Sequence, residues 1–391
     1  MATAPLIGDG LALGEDLPGA VERAVSTALA PLRGATPDLA FVFVSGGTPA
    51  ETAAALELAS ASIGARTTVG CTAHGVIASG RGVEGVGGVS VWVASIPSVS
   101  IRAFHLEVLR TPESVAVLGM PRGSVDDVVG VLLADPFSFP ADGFVGRSHE
   151  ALRGLPLVGG LASGARAPGD TRLLLDGRVH DRGAVGVVLG GDLSIHTLVS
   201  QGCRAVGPPM AVTAIEGSRI LSLAGRPALE QAKAAVSTLP VAEQPLAVRG
   251  LHLGIAMDEY ADEHLAGDFL VRTITGADHA SGSISTGDEI EPGSTVQFLL
   301  RDAASAHDDL AEVLRGLRAQ PGLGALAGAL LFTCDSRGGA MSLSSDHDVT
   351  EVRDALGVGT VAGFFAAGEI GPIRGRNHLT GSSATVLAFG C

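Results

Sequence analysis

Among 26 basic residues the chain has a single lysine, Lys233, and its 41 acidic residues leave a formal net charge of −15. Nucleic acid and anionic membrane surfaces are held by basic patches with long-range positive potential, so neither is expected as a partner. Any cation in a binding site is then an arginine, with its planar, bidentate fork. Long apolar runs are missing as well. No stretch of about 18 residues is free of charged and turn residues, so no membrane-spanning helix is expected. The four cysteines (Cys71, Cys203, Cys334, Cys391) are scattered without a C-x-x-C pair, as fits reduced thiols in a reducing compartment. The first twenty residues lack the basic and apolar segments of a signal peptide, which points to the cytoplasm. No H-E-x-x-H or comparable spacing occurs, and no metal is expected.

What the chain does have is apolar content, 46% of 391 residues with a mean hydropathy of +0.38. That excludes a disordered protein, and the length favours two or three domains. The apolar residues come in runs of four to eight, such as Phe41 to Val44 and Val131 to Ala134. Strands buried on both faces look like this.

One segment, G-x-x-A-x-G, occurs three times without gaps: Val69–Gly75, Val158–Gly164 and Ala362–Gly368. Each follows a strand-like run by about one helix: LAFVFVSGG from Leu39, VGVLLADP from Val129 and GALLFTCD from Gly328. Each leads through a Gly-rich turn to another apolar run: Val89–Ser95, Ala184–Gly190 and Ser383–Phe389. The unit reads strand, helix, strand, hairpin, strand, and a strand–helix–strand unit normally gives a parallel pair. Thr48-Pro49-Ala50-Glu51 supplies the start signals of the first helix, and Asp346 or Ser345 is placed to cap the last. A fourth, degenerate copy is read from Leu251–Met257, Asp268–Asp278 and Gly293–Ala303, preceded by a hairpin from Ala211 and a helix from Pro227. The fold expected is α/β, with mixed β-sheets flanked by helices, built from repeated strand–helix–strand–hairpin units. Two similar domains, 1–240 and 241–391, would each hold about two units.

The repeated glycines have two compatible readings. Small residues let backbones approach closely, and strand ends followed by Gly-rich loops make pocket walls. The variable positions differ between copies: Cys71-Thr72-His74, Gly160-Leu161-Ser163, and Phe364-Phe365 followed by Glu369. Gly322–Gly328 resembles a dinucleotide loop but precedes its strand, and the Ser163 segment is not a G-x-S-x-G elbow. Asp258, Glu259, Asp262, Glu263 and His264 read as a solvated loop.

The segments ALLFTCDSRGGAMSLSSDHDVTEVRDALG and VAGFFAAGEIGPIRGRNHLTGSSATVLAF resemble the FIST family (F-box and intracellular signal transduction proteins). VGCTAHGVIASG, LPLVGGLASG and VSQGCRAVGPPMAVTAIEGSRILSLAGRPALE are similar to its N-terminal domain, and DFLVRTITGAD and GSTVQFLLRDA to the start of its C-terminal domain. The resemblance spans about residues 30 to 391. It implies a sensory domain that binds a small ligand, an amino acid or similar polar metabolite, with no cofactor required. A haem-binding nitric oxide sensor is the alternative the family suggests. With no kinase, cyclase, chemoreceptor or F-box segment beside the two domains, output through a separate signalling protein is expected.

Guided by that resemblance, the polar residues at strand ends are Arg204, Arg272, Arg301, Cys334, Asp335, Arg337, Glu369 and Asn377, with Cys71 and Thr72 in the first copy. Arginine forks would clamp a carboxylate, and Glu369 or Asp335 would accept an ammonium. Each arginine could equally serve a structural salt bridge. Glu369, at an apolar strand end, must pair with an arginine or serve a ligand. Cys334 and Cys71 are either inert buried thiols or, beside a cation, nucleophiles of an unrecognised enzyme. Haem would need a His in an apolar pocket, for which His74, His105 and His252 are the candidates.

Overall fold

The structure, a computed structural model, describes residues 4–261, 264, 266–287, 290–339, 341 and 344–391. Asp262 and Glu263 of the acidic cluster lie outside the described residues. The chain divides into two compact units, 1–200 with 311–391 and 201–310. The expected cut at 240/241 falls inside the second.

In the first unit, β1 (Leu6–Leu13) and α1 (Leu17–Leu29) precede repeat one. That repeat is β2 (Leu39–Ser45), α2 (Pro49–Ile63), β3 (Thr67–Ala73), the hairpin β4 (Gly75–Ala78) and β5 (Arg81–Glu84), then β6 (Gly88–Ser95). After β7 (Val99–Arg110) and β8 (Val115–Leu118), repeat two is β9 (Asp127–Ala134), α3 (Ala141–Ala151), β10 (Leu157–Leu161), hairpin β11 (Leu173–Leu175) and β12 (Arg178–His180), and β13 (Ala184–Gly191). The stretch ends with β14 (Ile195–Ser200). The second unit holds β15 (Arg204–Glu216), β16 (Arg219–Leu223), β17 (Arg226–Pro227), α4 (Ala228–Ser237), α5 (Ala247–Gly250), β18 (Leu251–Ala256), β19 (Phe269–Asp278), β20 (Ser283–Thr286) and β21 (Thr295–Leu300), and the boundary falls within α6 (Ala303–Arg318). Repeat three returns to the first unit with β22 (Leu326–Cys334), α7 (His347–Leu356), β23 (Val361–Ala366), hairpin β24 (Glu369–Ile373) and β25 (Arg376–Thr380), and β26 (Ala384–Gly390).

Each repeat has the expected parallel pair, β2 with β3, β9 with β10 and β22 with β23, flanked by an antiparallel last strand. The hairpins do not stay at home. The repeat-one hairpin pairs with β23, the repeat-two hairpin with β3 and the repeat-three hairpin with β10. Three mixed sheets result, each completed by the hairpin of another repeat. The second unit is different. Among the described residues its strands β15 to β21 pair antiparallel, so the fourth segment is a meander rather than a copy of the repeat. The helical element between β18 and β19 among the described residues is the single 3-10 turn Ala266–Asp268, too short for the crossover that a parallel pair needs.

The strands of the parallel pairs are buried on both faces. Along β2, Leu39, Phe41 and Phe43 enter a core shared by all three repeats, while Ala40, Val42 and Val44 lie under α1 and α2. In the shared core Phe43 stacks on Phe364 with centroids 4.9 Å apart, and Trp92 meets Phe389 at 5.0 Å. The first glycine of each motif copy is set by close approach. A Cβ on Gly70, Gly159 or Gly363 would lie 2.2, 2.0 or 1.7 Å from a carbonyl oxygen of the neighbouring parallel strand.

Helix α2 begins as expected. Thr48 Oγ1 accepts from the Glu51 N–H at 3.3 Å and the Glu51 carboxylate accepts from the Thr48 N–H at 2.7 Å. Thr48→Ala is expected to cost about 1 kcal/mol in urea titration, the usual worth of a cap. Asp346 does not cap α7 with its side chain; its carboxylate accepts from the Gly82 N–H at 2.7 Å.

Candidate functional site

At the C-terminal ends of β2 and β3 the first unit holds a cavity of about 490 Å³. Ligands of open α/β sheets sit outside the carboxyl ends of strands, and pockets for small molecules run to several hundred Å³. Backbone geometry opens the space. Gly46 and Gly47 take φ of +75° and +76° in succession, and a Cβ on Gly46 would lie 2.6 Å from Gly87 Cα. The loop after β2 therefore packs tightly on the loop before β6 and leaves room above both.

The polar lining comes from the start of α2, with Thr48 and Thr52, and from two motif copies. Thr72 and His74 end the first; Ser163 ends the second and runs on through Arg166 to Asp170. Thr72 Oγ1 accepts from the Arg172 N–H at 3.1 Å, while its backbone N–H donates to the Arg172 carbonyl at 2.9 Å. Asp170 caps its own turn, accepting from the Ala167 N–H at 3.2 Å. Arg166 is exposed and makes no ion pair among the described residues. Arg166 and Asp170 escaped the sequence reading, which stopped at the motif; the two residues that follow the second copy, Ala165-Arg166, were the available signal.

The residues expected from the sequence are distributed as follows. Thr72 lines the cavity. Cys71, one residue earlier, points into the shared core, and burial pushes its thiol well up. Three arginines lie in the second unit. Arg204 pairs with Glu243 and, at 3.5 Å, with Asp302. Arg272 is half-buried on β19. Arg301 is buried and donates to His252 Nε2 at 2.8 Å and to the Gln201 carbonyl at 3.1 Å. His252 Nδ1 in turn donates to the Gly250 carbonyl at 2.9 Å. Burial and the adjacent Arg301 charge lower this imidazole to about 4, so it stays neutral.

Cys334, Arg337 and Glu369 gather at the end of β22. Arg337 is buried and grips Asp348 through two bonds, Nε to Oδ2 at 2.9 Å and Nη2 to Oδ1 at 3.0 Å. Asp348 also accepts from Thr333 Oγ1 at 2.5 Å. Burial would raise the Asp348 pKa; Arg337, His347 and Thr333 hold it below the usual carboxylate range instead. Glu369 has no exposed surface, and its ligation is not by an arginine. Oε2 accepts from the Ser383 N–H at 3.0 Å and the Ser383 hydroxyl at 2.8 Å. Oε1 has no aligned partner among the described residues, and the Cys334 thiol lies against the carboxyl group. The expected arginine pairing of Glu369 is thus replaced by hydroxyl, amide and thiol contacts, because Arg337 is already committed to Asp348. Burial raises Glu369 to about 8 against these contacts. Burial and then the Glu369 charge push Cys334 up to about 12, the opposite of an activated thiol.

Asp335 is exposed beside Cys334. Asn377 is buried and structural in its bonding: Oδ1 accepts from the Leu157 N–H, and Nδ2 donates to Ser148 Oγ and the Leu155 carbonyl, each at 2.9 Å. It fastens the repeat-three hairpin to α3 and β10. A wider hollow of about 720 Å³ flanks His105 and His180, whose rings stack at 3.9 Å. Several of its polar groups are occupied: Arg182 by Asp181, Arg110 by the Ser138 carbonyl, and His105 Nε2 by the Arg182 carbonyl. The haem candidates fit that group poorly. His252 uses both ring nitrogens, His105 is stacked and bonded, and His74 stands exposed at a polar cavity.

The first unit is a repeated α/β scaffold with a cavity at its strand ends, and the comparisons with known proteins give its family. The FIST N domain matches residues 38–226 and the FIST C domain residues 228–372. An uncharacterised protein of Mycobacterium tuberculosis is 39% identical over 384 residues, covering 98% of this chain and 99% of its own. An uncharacterised protein of Mycobacterium bovis is 38% identical over 387 residues, covering 98% of each. The chain belongs to the FIST family, whose domains are associated with signal transduction and small-ligand sensing. No helix among the described residues is long and apolar enough to cross a membrane.

Proposed function

We propose that this protein is a sensory module that binds a small polar metabolite, an amino acid or a similar zwitterion, in the repeat-one cavity and passes its state to a separate signalling protein. The observation that carries this reading is the contrast in commitment between the polar groups. Arg301, Arg337 and Asn377 are spent on internal bonds, whereas the cavity sets Arg166 beside Thr72, Ser163 and Asp170 without an ion pair of its own among the described residues. An arginine fork takes a carboxylate, and Asp170 supplies an acceptor for an ammonium group.

A thermal-shift screen of amino acids and small carboxylates tests it. A ligand at 100 times its Kd stabilises by about 2.7 kcal/mol, so a hit raises the melting temperature measurably. Arg166→Met is expected to weaken such a hit by about tenfold or more, the worth of one charge-assisted bond. No hit at millimolar concentrations, or hits indifferent to Arg166→Met, would count against the reading.

A further inference from the structure

The three G-x-x-A-x-G turns meet one another. A Cβ on Gly164 would lie 2.8 Å from Ala73 N, one on Gly75 2.7 Å from Phe365 Cδ2, and one on Gly160 2.9 Å from Ala366 Cβ. Each copy therefore touches both others. The Leu161 N–H donates to the Gly368 carbonyl at 2.8 Å, and the Ala367 N–H to the Leu161 carbonyl at 3.0 Å. At this junction sits Ser163. Its Oγ accepts from the His74 N–H at 2.8 Å and donates its one proton to the Phe365 carbonyl. A single hydroxyl thus ties copy two to copies one and three, and Ser163 and His74 both line the cavity. Four residues after Phe365 the same turn delivers Glu369 to its place between Ser383 and Cys334.

From this we infer that Ser163 is a link between the cavity and the buried Glu369–Cys334 pair: a ligand acceptor that takes the Ser163 proton releases the Phe365 carbonyl and loosens the turn that carries Glu369. The inference rests on the cavity being the ligand site. Its physical basis is proton count. A hydroxyl has one proton to donate, so a ligand acceptor and Phe365 compete for it, and the two arrangements are the two states that coupling requires. The charged and titratable groups facing Glu369 are Cys334, at the end of β22, and Arg337 just beyond it. Arg337 is itself held by Asp348, which His347 also contacts. Loosening the turn therefore gives solvent and reagents their way to Cys334, which is only 4% exposed at rest.

Site-resolved alkylation of the native full chain with N-ethylmaleimide, read by mass spectrometry, tests the link without any ligand. Cys391 is exposed and serves as the fast reference, while Cys71 is fully buried in the shared core and reports global opening. Ser163→Ala is expected to speed Cys334 labelling about tenfold, the factor that one hydrogen bond supplies, and to leave Cys71 unchanged. Labelling of Cys334 at the wild-type rate would overturn the link. So would equal acceleration of Cys334 and Cys71, which would make Ser163 a general support of the fold. A compound from the thermal screen should speed Cys334 labelling in the wild type and not in Ser163→Ala. If the screen yields none, the functional reading fails, and the Ser163→Ala comparison still decides the link.

Discussion

Arg337→Met is expected to lower stability by about 3–5 kcal/mol, the usual cost of leaving one member of a buried ion pair without its partner. The geometry makes the full range reachable. The Arg337 side chain is 1% exposed and the Asp348 side chain 8%, so neither charge can recruit water when the other is removed. The pair also fixes structure beyond itself, because it joins the segment after β22 to the first turn of α7. Asp348 also meets the hydroxyl of Thr333 and His347 Nδ1, and in the single variant these contacts remain but the guanidinium charge is gone. Replacing both partners, as Arg337→Met with Asp348→Leu, should recover most of the loss, since a well-packed apolar pair is often neutral relative to a buried salt bridge. Urea titrations of the two variants and the wild type measure this. A loss below about 1 kcal/mol in the single variant, the range of exposed pairs, would show that the ion pair is not held as described.

Glu369→Gln should change the pH dependence of stability instead of its general level. The Glu369 carboxyl is raised from 4.5 to about 8 by burial. The folded protein therefore favours the protonated acid. Below the unfolded value of 4.5 both states are protonated and the group contributes no pH dependence. Between 4.5 and about 8 the unfolded chain ionises while the folded one does not, and stability falls as pH rises, by up to about 1.4 kcal/mol per pH unit from this group. Glutamine keeps an oxygen for Ser383 and stays neutral throughout. Glu369→Gln should match the wild type near pH 4 and exceed it by about 3 kcal/mol near pH 7. Identical slopes in the two proteins over this window would contradict the burial of an uncharged carboxyl at this position.

Much of the first unit was legible in the sequence. The G-x-x-A-x-G copies, the parallel pairs, the hairpins and the final strands all fall where the repeat places them, because two-sided burial writes itself as short apolar runs and close approach of backbones demands glycine. The exchange of hairpins was not legible. Gly75 to Glu84 follows β3 in the chain, yet pairs with β23, and nothing in local sequence says which sheet edge a short hairpin will join. The second unit misled for a related reason. The runs at Leu251 and Phe269 have the composition of repeat strands, but among the described residues only a 3-10 turn stands between them, and composition alone cannot separate a meander from a crossover.

The site was legible only in part. Of the residues lining the candidate cavity, Thr72 sits inside the motif and is legible from it, whereas Arg166 and Asp170 lie in a loop that has no periodicity to mark it. Glu369 was correctly singled out as a carboxyl in an apolar setting. Its partners are not legible in the chain, since Ser383, just before β26, and Cys334, at the end of β22, reach it through the fold. The family resemblance drew attention to strand-end arginines, and in Arg204, Arg301 and Arg337 the structure spends them on neighbours.

The central claim is that a small polar ligand sits at the strand ends of repeat one. A crystal structure of the full chain soaked with the strongest stabilising compound from the screen tests it most directly. Ligand density is expected at the ends of β2 and β3, in contact with Thr72, Ser163 and Arg166. Density in the second unit or beside Glu369, with the repeat-one cavity holding only solvent, would contradict it.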